Sequence, residues 1–151
     1  MSQGPVMGYL ADRTFASRKP HVLTACLGLQ SVNWAFLSFL SAGAGGIGLG
    51  ISFFVMGMMS AGTLSVFWAI VREEAPPERM GTAMGFLNPA PFLAIALFQP
   101  LTGFVMDRVG RVAGVFPPEA YRNAFAVCFA SMVAAALISL LSWKKMGWVK
   151  E

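Results

Sequence analysis

The chain has 151 residues, of which 56% are hydrophobic and 12% are charged, and its formal net charge is +4. Soluble domains carry roughly 25% charged residues, so the composition excludes a typical soluble domain and indicates about four membrane spans of ~20 residues each. The basic residues lie at the ends of apolar runs and form no stripe. This pattern argues against nucleic-acid binding and favours a lipid bilayer as the partner.

The chain begins with a short segment, residues 1–10, that contains Gly4 and Pro5 and is too short to span a membrane. We interpret it as the tail of a preceding helix. Residues 8–19, which we name the charged elbow, come before the first long apolar run. Because a bilayer core excludes charge and because Lys and Arg mark the cytoplasmic end of a span, we expect the charged elbow to be cytoplasmic.

Apolar runs predict a single all-α transmembrane domain, residues 1–151, with about four spans at residues 22–41, 47–71, 80–105 and 123–143. A glycine-rich turn at 41–46 and a polar loop at 72–79 separate the first three spans, and a loop at 106–122 precedes the fourth. The third run contains Pro89, Pro91 and Pro100, and each is expected to interrupt or kink the helix.

The distribution of basic residues predicts the orientation of these spans. Alternation places the charged elbow, the 72–79 loop and the C-terminal tail on one side of the membrane. That side carries Arg13, Arg18, Lys19, Arg72, Arg79, Lys144, Lys145 and Lys150, against Arg108, Arg111 and Arg122 on the other. The bias predicts a cytoplasmic elbow and tail. We expect an integral protein of a plasma membrane, the inner membrane in a bacterium.

The charged elbow resembles the signature loop of the major facilitator superfamily of transporters. The matching residues are Gly8, Leu10, Ala11, Asp12 and Arg13, followed by Arg18 and Lys19. The sequence departs from the family pattern at Phe15, where the family has glycine, and in the displaced basic pair. A second copy of the pattern, at 103–111, follows the family more closely after its aspartate. Alternation places that copy in the loop before the last span, on the extracytoplasmic side.

Residues 74–88 are similar to the junction between the tenth and eleventh helices of the family, and residues 103–125 to the loop and start of the twelfth. The resemblance implies a C-terminal portion of such a transporter, from the end of helix eight through helix twelve. It further implies a mechanism of alternating access and a small solute as the substrate. The partner would be an N-terminal half of six helices, or another membrane chain. Asp12 would then meet a helix N-terminus in that half, whereas the simpler reading is a solvated loop that sets orientation.

Two alternatives remain open. One is a small transporter of four helices that works as a dimer, and the other is a membrane subunit or fragment that only packs against partners. The sequence shows no catalytic constellation, no metal-ligand cluster and no cofactor motif, so we expect neither an enzyme nor a metal or cofactor site.

Five polar residues are candidates for lining a transport cavity. Ser60, Thr63 and Trp68 lie on the span that resembles the cavity-lining tenth helix. Asn88 and Gln99 lie on the proline-rich third span, and broken helices expose backbone carbonyls at transporter sites. A packing role for the same side chains stays open.

Small and polar residues also predict helix contacts. Gly46 and Gly50, like Gly81 and Gly85, are four residues apart and permit close approach of two helices, either as static packing or as a sliding surface. Gln30, Asn33 and Trp34 share one face of the first span, where we favour hydrogen bonds between helices over contact with substrate.

Overall fold

The computed structural model describes residues 19–146 and contains α-helices throughout that range. The helices are α1 (Lys19–Phe39), α2 (Gly45–Glu74), α3 (Met80–Leu87), α4 (Ala90–Val109) and α5 (Pro118–Met146). Short 3-10 turns at Ser41–Gly43 and Pro77–Arg79 connect the first helices. Predictions for Gly8, Asp12, Arg13 and Arg18 concern positions outside the described residues.

Four helical segments in the described part of the chain are long and apolar enough to cross a membrane: α1, α2, the combined segment Pro77–Val109, and Pro118–Ser142. The prediction of an all-α polytopic membrane protein is therefore confirmed. The limits of the spans within these helices stay a prediction, because each helix is free to extend beyond the hydrocarbon core.

The helix ends follow from local backbone chemistry. Ala75, which precedes Pro76, is extended with φ −82° and ψ 124°, and α2 ends immediately before it. A residue before proline is disfavoured in the α conformation. The turn predicted at 41–46 is shorter than expected, since α2 already begins at Gly45, whose φ of +61° is accessible to glycine.

The loop predicted at 106–122 is also shorter in the structure, where it comprises only residues 110–117. Helix α4 continues to Val109 and ends at Gly110, whose φ is 81°. Helix α5 begins with Pro118, because the missing N–H of a proline costs nothing at the first helical position.

The third membrane segment is divided into α3 and α4 at Asn88 and Pro89, although both residues keep helical backbone angles. Pro89 and Pro91 have no N–H, so the carbonyls of Gly85 and Leu87 lose their usual helical donors. Pro91 is then tolerated in the first turn of α4. The expected interruption at Pro100 is wrong, because α4 continues through this residue.

Contacts between helices place them in the order α2, α1, α5, α4, so that α1 lies between α2 and α5. Helices α1 and α5 are antiparallel. The hydroxyls of Thr24 and Ser139 are 2.5 Å apart at one end of this pair, and at the other the Arg122 Nε donates to the Ser38 carbonyl at 3.1 Å. The outer faces of α2 and α4 remain open to lipid or to other helices.

Candidate functional site

Polar side chains join α1 to α2 within the membrane-length part of both helices. The buried Gln30 donates from Nε2 to the Ser60 Oγ at 2.6 Å. Asn33 donates from Nδ2 to the Ser52 carbonyl at 3.0 Å, and its Oδ1 accepts from the Ser52 hydroxyl at 2.5 Å. The predicted hydrogen bonding between helices is therefore confirmed for Gln30 and Asn33.

Trp34 was grouped with these two residues by helical spacing, but the structure turns its ring toward α5. Its centroid lies 5.8 Å from that of Phe125, with the planes inclined by 52°. The side chains of α1 thus divide between two neighbours. Its polar residues Gln30 and Asn33 form hydrogen bonds with α2, and its aromatic residue Trp34 packs against Phe125 of α5.

A groove runs along the contact between α1 and α2 and has a volume of about 320 Å³. We name it the α1–α2 groove. Its lining residues are Leu23, Leu27, Gln30, Ser60, Thr63, Leu64, Phe67 and Met132. The groove is open to the surroundings, and its walls are apolar with a few polar groups.

Two of the five predicted cavity residues, Ser60 and Thr63, meet in this groove. The Ser60 oxygen accepts the Gln30 amide, which leaves the Ser60 hydroxyl hydrogen available to a solute. The Thr63 hydroxyl donates to the Met59 carbonyl at 2.8 Å, and the Thr63 side chain also hydrogen-bonds the Cys26 side chain. The polar group that the groove leaves available to a solute is therefore the Ser60 hydroxyl.

Trp68 lies next to the groove and does not line it. Its ring makes an edge contact with Phe67, with centroids 5.3 Å apart, and Phe67 is part of the groove wall. Trp68 is thus placed to hold the orientation of a lining residue. No pattern in the sequence indicated this arrangement.

Asn88 and Gln99 are not brought to the α1–α2 groove. Both are exposed on the broken third segment, and α4 contacts α5. Near Gln99, the Thr102 hydroxyl bonds to carbonyls of its own helix, those of Phe98 at 2.8 Å and Gln99 at 3.1 Å. The predicted candidates therefore fall into two separate groups.

The predicted glycine contacts are not made within the described residues. A Cβ built at Gly46, Gly50, Gly81 or Gly85 meets no atom within 4 Å. All four glycines lie on exposed surfaces. Close packing at these positions stays a prediction, and it concerns contact with a further chain or segment.

An ion pair connects the two ends of α1 and α2 that were predicted to share one side of the membrane. Lys19 Nζ pairs with Glu73 Oε1, and the Lys19 side chain is only 8% exposed. The pair holds the end of the charged elbow against the loop at 72–79. Sequence reasoning placed both groups at span ends and missed their contact.

Met132 and Phe67 are groove residues that sequence reasoning missed. Met132 lies on α5, about a hundred positions after the α1 residues that it faces, and no local pattern relates them. Among the described residues, no group of three or more His, Cys, Asp or Glu side chains is placed to hold a metal ion.

Comparison with known proteins gives one relative of stated function. The chain is similar to the hexuronate transporter of Bacillus subtilis (strain 168), with 27% identity over 96 residues. These residues are 63% of this chain and 22% of the transporter, so the match spans about a fifth of the relative's length. No protein-family model matches the chain, and no solved structure matches it significantly. With its four membrane-length helices, the chain is an integral membrane protein.

Proposed function

We propose that this chain is part of a secondary transporter of the major facilitator type and forms a C-terminal portion of its second helix bundle. The observation that carries the proposal is the similarity to the hexuronate transporter, in a chain whose helices reach membrane length. The resemblance of residues 8–19, 74–88 and 103–125 to that family supports the same assignment.

The arrangement of the helices suits half of a two-bundle transporter. Polar bonds from Gln30 and Asn33 fix α1 against α2, so these helices can move as one body. The exposed faces of α3 and α4 provide a surface on which a second bundle can pack and slide. In this proposal the mechanism is alternating access, in which two bundles rock about a site between them.

Solute would meet polar groups at two places, each formed by residues named above. Ser60 offers a hydroxyl donor in the α1–α2 groove, beside Thr63. Asn88 lies exposed at the break between α3 and α4, where Pro89 leaves the Gly85 carbonyl without its helical donor. The substrate class is a small solute, and hexuronates are the first to test because the relative is named for them.

The proposed orientation has the charged elbow and the C-terminal tail in the cytoplasm. In this orientation the ion pair between Lys19 and Glu73 lies at the cytoplasmic end of α1 and α2. Asp12 of the elbow would face a helix N-terminus in the other half of the transporter, where an anion contributes roughly 0.3–1 kcal/mol.

An exchange experiment tests this function. The segment of the Bacillus subtilis transporter that matches this chain is replaced by the corresponding 96 residues. Uptake of a radiolabelled hexuronate is measured in cells that lack their own uptake system. We expect saturable uptake by the hybrid, no uptake by a transporter lacking the segment, and no uptake by this chain alone in liposomes.

Two outcomes would contradict the proposal, and they separate the alternatives. Saturable flux through liposomes that contain this chain alone would favour a small dimeric transporter of four helices. A hybrid that reaches the membrane in normal amounts and retains its helical circular dichroism, but neither binds nor transports hexuronate, would favour a subunit that only packs against partners.

A further inference from the structure

The connection between α4 and α5 forms a structured hairpin, residues 110–117, which we name the α4–α5 hairpin. Val112 N–H donates to the Val115 carbonyl at 2.9 Å, and Val115 N–H donates to the Val112 carbonyl at 3.1 Å. The two central residues, Ala113 and Gly114, have φ values of 53° and 80°. Positive φ at both centres is the requirement of a type I′ turn, so the tip has a defined shape.

Two arginines lie at the start of the hairpin, Arg108 just before it and Arg111 within it, and each lies over an aromatic ring. The guanidinium of Arg108 is 4.6 Å from the centroid of Phe104, and that of Arg111 is 4.5 Å from the centroid of Phe116. Both arginines are exposed. Among residues 19–146, neither guanidinium takes part in an ion pair with an acid. The rings restrict both side chains and leave guanidinium N–H groups free to donate.

The tip of the hairpin, which follows these arginines in the chain, is apolar and open. Val112 is 69% exposed and Val115 is 66% exposed. Because the hairpin joins the ends of two membrane-length helices, it lies at a membrane surface, which is the extracytoplasmic surface in the orientation proposed above. Tyr121, at the start of α5, is also exposed there, and such residues are enriched at membrane–water interfaces.

We propose that the α4–α5 hairpin binds anionic phospholipid, with Arg108 and Arg111 donating to the headgroup phosphate while Val112 and Val115 lie among the upper acyl chains. Guanidinium matches the geometry of phosphate and forms paired hydrogen bonds with it. Exposed valines next to the two cations suit a partner that has a charged headgroup joined to a hydrocarbon chain. A soluble anion would use the arginines and leave the valines in water.

The other polar loop between spans provides a matched control. Arg72 and Arg79 are also exposed, but three acids, Glu73, Glu74 and Glu78, lie beside them and offset their charge, whereas one acid, Asp107, lies beside the two hairpin arginines. Replacing this pair removes the same formal charge as replacing Arg108 and Arg111. A difference between the two double variants therefore reports the hairpin and not net charge.

The test uses the full chain in a neutral detergent with fluorescently labelled phosphatidylglycerol, and labelled phosphatidylcholine as the zwitterionic control. Arg108→Gln with Arg111→Gln is expected to weaken phosphatidylglycerol binding by at least about tenfold, since the loss of one hydrogen bond to a charged phosphate already costs about that factor. Arg72→Gln with Arg79→Gln is expected to change it less than about twofold, because exposed charges away from the bound lipid contribute little. Equal losses in the two double variants would overturn the proposal, as would unchanged binding after replacement of the hairpin arginines.

Competition and depth measurements distinguish a lipid from a soluble anion. Inorganic phosphate or glucuronate at millimolar concentration should leave labelled phosphatidylglycerol bound, and displacement by either would overturn the lipid assignment. A fluorophore on Val112→Cys, with Cys26 and Cys128 replaced by serine, should be quenched by lipids brominated high on the acyl chain. Quenching by aqueous iodide alone would place the tip in water and contradict the proposal.

Discussion

The α1–α2 contact and the α3–α4 segment have similar apolar composition, but their polar side chains differ in environment. Those between α1 and α2 are hydrogen-bonded, and most of those on α3 and α4 are exposed. Gln30 and Asn33 on α1 are bonded to Ser60 and Ser52 on α2. On α3 and α4 no residue is buried, and Asn88 remains exposed. Since unpaired polar groups are costly in hydrocarbon, the difference suggests that α1 and α2 are held within this chain. We infer that the α3–α4 surface is the one that meets another part of the proposed transporter.

The largest expected effect is the labelling of cysteines introduced into the loops. It should be complete or absent, depending on the side of the membrane on which each loop lies. With Cys26 and Cys128 replaced by serine, Glu119→Cys should react with a membrane-impermeant thiol reagent added outside intact cells. Glu78→Cys should react only after the cells are opened, because the loop at 72–79 is predicted to be cytoplasmic. Reaction of Glu78→Cys from outside, with Glu119→Cys silent, would reverse the orientation.

The next prediction compares a buried glycine with an exposed one. Gly62 on α2 is buried one turn before the buried Val66, so Gly62→Leu should overpack this face and destabilise the protein by about 1–3 kcal/mol. Gly85→Leu on α3 should change stability by less than about 0.5 kcal/mol, because a Cβ at Gly85 meets no atom within 4 Å. Unfolding of the detergent-solubilised chain, followed by circular dichroism, gives both values.

The Gly85→Leu variant also tests whether α3–α4 is a contact surface. In a complete transporter, Gly85→Leu should lower uptake while leaving the isolated chain stable, since a bulky side chain keeps helices apart. Normal uptake by that variant would show that this face meets only lipid.

The smallest expected effect comes from the two asparagines. Asn33→Leu removes two hydrogen bonds to Ser52 and should destabilise the chain by about 0.6–1.7 kcal/mol, the range for polar contacts between membrane helices. Asn88→Leu should leave stability unchanged or raise it slightly, because this exposed amide enters hydrocarbon without a partner. Equal losses of stability in the two variants would contradict the proposed difference between the α1–α2 contact and the α3–α4 segment.

Much of the fold could be predicted because hydropathy and proline act locally. The apolar runs gave the four membrane-length helices, and Pro89 with Pro91 indicated the break before α4. The loop before α5 was predicted too long, because charges at Asp107 and Arg108 suggested a helix end that Gly110 in fact provides. Pro100 was predicted to interrupt a helix, but α4 continues through it, because the hydrogen bonds of the turns before and after it maintain the helix.

The candidate site could be predicted only in part. Ser60 and Thr63 were candidates because their span resembles a cavity-lining helix of the transporter family. Both line the α1–α2 groove, and their role in a transport cavity stays a prediction. Met132 completes that groove from α5, and its approach depends on the packing of α5 against α1. The hairpin turn at Ala113 was not foreseen, because alanine at positive φ lacks the usual Asn-Gly or Asp-Gly signal.

The sequence by itself determined how many helices are suited to a bilayer and where proline breaks one of them, because each helix forms its backbone hydrogen bonds internally and its side chains select the solvent. Tertiary structure alone decided which helices are neighbours. Thr24 meets Ser139 across 115 positions, and Lys19 meets Glu73 across 54. Lipid is as apolar as the helix surfaces that it covers, so hydropathy does not rank possible neighbours. The neighbours of each helix are determined by the packing of side chains and by a few hydrogen bonds between helices.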